Sequence, residues 1–171
     1  MSARLLLGLA CLCICSGCAR HAKTMTAVFP AGSQAAPWVL QDAVWDGSFV
    51  RAARALGDDA EDWRLFRPTR VWLAVYHHED DPKRRTTVRA FAFDSRVAAR
   101  NAYEHFRPTE AKAFNAGDEG CWTEIGVLFV WGRMVFDVFG NDASFSSQGQ
   151  SAYVTALIEK EMPTTLPEAP R

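Results

Sequence analysis

The stretch GVLFVWGRMVFDVFG, residues 126–140, constrains the fold more than any other part of the chain. Two apolar runs flank Gly132-Arg133, and glycine at the first turn position suits a type II′ turn, whose twist matches that of paired strands. A hairpin is therefore expected. VWLAVYHH (71–78) and TTVRAFAF (86–93) form a second expected hairpin, joined by the charged turn EDDPKRR, with Pro82 where a strand cannot continue. These strands are apolar on both faces. Val71, Leu73 and Val75 alternate with Trp72, Ala74 and Tyr76, and Phe91 and Phe93 oppose Val88, Ala90 and Ala92. A sheet with one face in water alternates apolar with polar residues, so both faces here need cover.

Helical patterns supply that cover. Ser48 stands before FVRAARAL, with Gly57 as the stop signal, and DDAEDWRLF reads as a short second helix. Asp94-Ser95 caps RVAARNAYEHF, which is expected to bury Val97, Ala98, Ala102, Tyr103 and Phe106 before Pro108 ends it. EGCWTEI adds a strand. SAYVTALIEKEM (151–162) is a last helix, stopped by Pro163, with Ala152, Tyr153, Ala156 and Leu157 inward. The expected fold is α+β: an antiparallel sheet of about five strands (a two-strand hairpin, a helix, three strands, a C-terminal helix) with helices packed on it. The last two helices are expected on one face and residues 48–66 on part of the other. What they leave open is the expected groove or partner surface. From GDEGCW through the VWGR hairpin, the chain resembles bacterial envelope domains of strand–helix–strand–hairpin type. That resemblance implies a fold and carries over no catalytic residue.

Four of the five cysteines crowd into CLCICSGCAR, residues 11–20. Ahead of them a single Arg4 precedes an apolar run from Leu5 to Ile14, the length of a signal-peptide core and too short to span a bilayer. A thiolate metal site would need polar support and a backbone free to wrap the ion, and here the intervening residues are Leu, Ile, Ser and Gly. CSGC followed by Ala19 resembles the lipobox of bacterial lipoproteins, with Cys15 where that family usually has Leu. The resemblance implies cleavage before Cys18, acylation of its thiol and amine, and anchoring in the cell envelope. With two host membranes, Ala19 is compatible with the periplasmic face of the outer one. Several acyl chains hold firmly where a single chain binds only marginally.

On this reading residues 1–17 are a signal peptide. Residues 18–37 are the lipidated cysteine and a flexible tether, about 25 Å root-mean-square in span. Residues 38–162 are one α+β domain. PTTLPEAPR, with three prolines, belongs to a disordered tail over 163–171. Loss of Arg4 takes the basic residues from 19 to 18 against 20 acidic ones. So balanced a surface argues against a nucleic-acid partner. Of the cysteines only Cys18 and Cys121 would remain, so stability must come from an apolar core.

Candidate chemistry is sparse. In YHHEDD, His77 and Glu79 share a strand face and could ligate a metal, with Asp80 or Asp81 as a third donor. The plainer alternative is a strand end entering a solvated turn. Cys121 could be a nucleophile only with a histidine to lower its pKa; within residues 38–162, His105 is the one histidine away from that strand end. Arg89 and Asp137 each interrupt an apolar strand, either as a polar pair inside a ligand groove or as a cross-strand ion pair. Asp118, Glu119 and Glu124 lack the spacing of a glycosidase pair. Six tryptophans serve as core or as a platform for sugars, lipids or peptides. The ligand-binding candidates are Trp72, Tyr76, Arg89, Phe91, Trp122 and Asp137. No cofactor motif appears. The expected function is a non-enzymatic binding or interaction module on a lipid anchor, its partner an envelope protein or an apolar ligand. The alternative is a small envelope hydrolase or metal-dependent enzyme using His77 and Glu79.

Overall fold

The computed structural model of the chain describes residues 25–141 and 145–162. Two short 3-10 turns, Met25–Val28 and Gly32–Gln34, precede the sheet. The elements that follow are β1 (Trp38–Leu40), β2 (Trp45–Ser48), α1 (Phe49–Leu56), α2 (Asp59–Arg64), β3 (Arg70–His78) and β4 (Asp81–Ala92). Then come α3 (Arg96–Phe106), β5 (Ala113–Phe114), β6 (Glu119–Trp122), β7 (Gly126–Trp131), β8 (Met134–Gly140) and α4 (Phe145–Glu161). All pairings are antiparallel, and the strands run in the order β3-β4-β8-β7-β6-β5. β1 and β2 both lie along the outer edge of β3, against Tyr76–His78 and Arg70–Leu73 respectively.

The α+β class and the antiparallel sheet are as expected. The sheet has eight strands rather than five. The three additional strands are two to four residues long, too short for alternation to be read from sequence. Both hairpins form. Gly132 has φ +58° with Arg133 outside the left-handed region, as a type II′ turn requires. The other turn is shorter than expected, because β4 starts at Asp81 and runs through Pro82. His78 pairs with Asp81 while His77 pairs with Arg85, so residues 82–84 sit in a bulge where Pro82 has no ladder bond to donate.

Local signals placed the helix ends well. α1 coincides with FVRAARAL, and Gly57 closes it at φ +63°. The Ser95 hydroxyl accepts from the Ala98 amide at 3.1 Å, capping α3. Inward faces were less legible. On α3 Ala102 and Tyr103 are buried as expected, but Val97 is 69% exposed and Ala99 is buried. α4 begins well before Ser151 and buries Ser147, Gln150, Ser151, Val154, Thr155, Leu157 and Ile158; Tyr153 and Ala156 point outward.

Both sheet faces are covered, but not by the expected pairs. α4 and the N-terminal turns pack on the face of Trp72, Tyr76, Phe129 and Phe136. α1, α2 and α3 pack on the face of Val71, Phe91, Leu128 and Val135. The last two helices are therefore on opposite faces. Residues 25–37, expected as tether, are packed: Val28, Phe29 and Ala35 are buried. The Tyr76 hydroxyl donates to the Pro30 carbonyl at 3.1 Å, and that of Tyr153 to the Ala36 carbonyl at 2.9 Å. The expected signal peptide, Cys18, the first part of the tether and the tail lie outside the described residues. Among the described residues no helix is long and apolar enough to cross a membrane.

Candidate functional site

The β4–β8 register sets Arg89 directly opposite Asp137. Both side chains point to the face that α1–α3 cover, and each is 14% exposed. Arg89 donates through Nε and Nη2 to Asp137 Oδ2, at 3.0 and 2.5 Å. Its Nη1 donates to Asp59 Oδ2 on α2 at 2.5 Å, and its guanidinium carbon stands 4.5 Å from the Phe139 ring centroid. One cation thus joins two carboxylates beside an aromatic face. The pair is thus a cross-strand ion pair, and it lines a cavity.

That cavity measures about 410 Å³, within the range of small-molecule sites. Arg89 and Asp137 supply its charged floor, with the more exposed Asp59 above them, and Trp63, Phe106, Leu128 and Phe139 its apolar wall. Asp62 and Glu124 stand at the rim. Trp63 is held by stacking between Phe91 (centroids 3.7 Å apart, 11° between planes) and Phe106 (4.0 Å, 23°). A second cavity of about 480 Å³ adjoins it, sharing Pro108, Thr123 and Glu124 and walled by Trp122. The loop between the two is tied to α4, where Gln148 Nε2 donates to the Thr123 and Glu124 carbonyls at 2.8 and 3.3 Å.

Burial and charge compete at the triad. Burial opposes the charge on Arg89, but Asp137 and Asp59 outweigh it and hold the guanidinium above its ordinary value. Burial pushes the Asp137 carboxyl up; Arg89 pulls it back, Asp59 pushes it further, and the balance is upward.

The remaining candidates are dispersed. Phe91 lies behind Trp63 on the cavity's face of the sheet. Trp72 and Tyr76 are buried on the opposite face, and Trp122 packs there edge-on to Phe114 at 4.8 Å. The six ligand-binding candidates do not form one surface. His77 pairs with Val39 and Arg85, and the Glu79 amide donates to the Pro37 carbonyl at 2.9 Å. Among the described residues no three His, Cys, Asp or Glu are grouped to hold a metal ion, so His77 and Glu79 find no third ligand. Cys121 is buried, and burial raises its thiol pKa against the pull of Tyr103. His105 packs on the Phe66 ring, 4.9 Å between centroids. Asp118 accepts from the Gly132 amide at 2.6 Å, and Glu119 pairs with Arg100 and Arg107. Both therefore brace structure.

Sequence reasoning missed Asp59, Trp63 and Phe106. Asp59 belongs to an acidic first turn that looks like any helix start, and nothing local says that it meets Arg89, 30 residues later. Comparison with family models, curated proteins and solved structures finds no match for the chain. The arrangement itself supplies a half-open cleft with an apolar wall and fixed charges.

Proposed function

We propose that the protein is a lipid-anchored envelope protein whose α+β domain is a non-enzymatic binding module, taking a small apolar-bodied ligand in the Arg89–Asp137 cavity. The observation that carries the binding half is the buried ion pair at the foot of an aromatic-walled cavity. Burying a charged pair in a sheet face yields little net stability where an apolar pair would pack as well. At a ligand site the same pair serves as a fixed polar reference. The anchoring half rests on the apolar run, CSGC and Ala19.

Titration with an uncharged apolar dye such as Nile red tests the cavity. Binding should saturate at one dye per chain and disappear in Ile125→Trp, which places an indole in the cavity wall, while the melting temperature is kept. A dye signal unchanged by that substitution would exclude this cavity. For the anchor, mass spectrometry of the mature N-terminus should find acylated Cys18, and Cys18→Ser should release the protein from the membrane fraction. An unacylated Cys18 would remove the envelope assignment.

A further inference from the structure

We propose that the occupant of this cavity is an organic cation with a flat apolar body, a protonated amine carried on an aromatic or alicyclic frame. The proposal deepens the binding reading and rests on it. The cavity's apolar wall asks for an apolar body, and its charges decide the head group. Four carboxylates line it, from Asp59, Asp62, Glu124 and Asp137, against the single guanidinium of Arg89. Arg89 is already committed. Asp137 and Asp59 take three of its five donors, and Phe139 lies against its guanidinium. An anionic ligand would have to share that guanidinium with two carboxylates and face four in all.

A cation meets the opposite situation. Asp59 holds Arg89 through Oδ2 and keeps 59% of its side chain exposed. Asp62, three residues along α2, and Glu124, across the mouth, are both exposed. An ammonium at the rim can reach these carboxylates while its frame lies against Phe106 and Phe139, where ring faces also favour positive charge. A bare metal ion is the poorer occupant, since these carboxylates are not grouped as a metal site.

Three probes sharing one ring system separate the outcomes: naphthylmethylamine, naphthylmethanol and naphthoate, titrated calorimetrically into the full-length protein near neutral pH. The amine should bind about tenfold tighter than the alcohol, which is roughly 1.4 kcal/mol, and naphthoate weakest of all. Added salt should narrow the gap between amine and alcohol. Asp62→Asn combined with Glu124→Gln, both at exposed positions, should bring amine affinity down to that of the alcohol, with the melting temperature unchanged. Equal affinity for amine and alcohol, or a preference that survives the double substitution, overturns the cationic class and leaves the cavity reading standing. Tightest binding by naphthoate overturns it as well. Failure of all three probes to bind removes the binding reading itself.

Discussion

Arg89 shows what a single charged residue does inside a sheet face. With its carboxylate partner equally buried, removing one member leaves the other desolvated and unpaired. Arg89→Met should therefore cost about 3–5 kcal/mol in urea unfolding. Asp59→Asn, at an exposed partner, should cost no more than about 1 kcal/mol. Arg89→Met with Asp137→Leu should recover most of the loss, because an apolar pair needs no counter-charge. The pH dependence has a definite sign. A carboxyl whose folded pKa is raised contributes stability below its ordinary value near 3.8 and loses that contribution as pH rises through the folded value. Arg89 pulls Asp137 down, so Arg89→Met raises that folded value further. Its stability should fall more steeply than the native protein's as pH rises from about 4 toward neutrality. Parallel slopes would show that Asp137 does not titrate as described. At Cys121, burial raises the thiol pKa, and its peptide should resist alkylation at neutral pH until the protein is unfolded. Fast labelling of the folded protein would reopen a nucleophilic role.

Among the elements, α4 separates what patterns reveal from what they hide. Its inward stripe of Ser147, Gln150, Ser151, Val154, Thr155 and Ile158 keeps helical spacing, yet its first half is polar. Apolar character is therefore a partial guide to its inward face: Leu157 is buried as expected, whereas Tyr153 and Ala156 face outward. Across the same core, the buried Thr86 hydroxyl finds no hydrogen-bond partner among the described residues. Thr86→Val should therefore raise stability by about 1 kcal/mol in denaturant unfolding, the reverse of its usual effect. A loss would mean that the hydroxyl is satisfied. The β7–β8 hairpin was legible because its signal is local: one glycine with φ +58° between two apolar runs. Gly132→Ala should cost about 1–2 kcal/mol, since a side chain is strained in that backbone region. β1, β2 and β5 were not legible, because segments this short are recruited by the edge beside them rather than by their own pattern.

For the molecule as a whole, the N-terminal segment belongs to the domain. Val28 and Phe29 pack into the core beneath α4, and Tyr76 and Tyr153 bond to carbonyls of residues 30 and 36. Phe29→Ala should cost about 3–5 kcal/mol, as truncation of a core phenylalanine does. A residue in a tether would cost nothing. This packing also bears on the proposed anchor. Only residues 19–24 separate Cys18 from Met25, and that length of chain reaches about 25 Å at most. A lipidated Cys18 would thus hold the domain near the membrane surface. The sequence alone determined the α+β class, both hairpins, the ends of α1 and the cap of α3. Each of these follows from a local signal: paired apolar runs, a glycine at a turn or helix end, or a serine before a helix. Which face each helix covers, the packing of residues 25–37 and the Asp59–Arg89–Asp137 triad were decided only in three dimensions. Local sequence records a residue's backbone preference and its polar or apolar character. Its partner depends on strand register and helix placement across 30 and 48 residues of intervening chain.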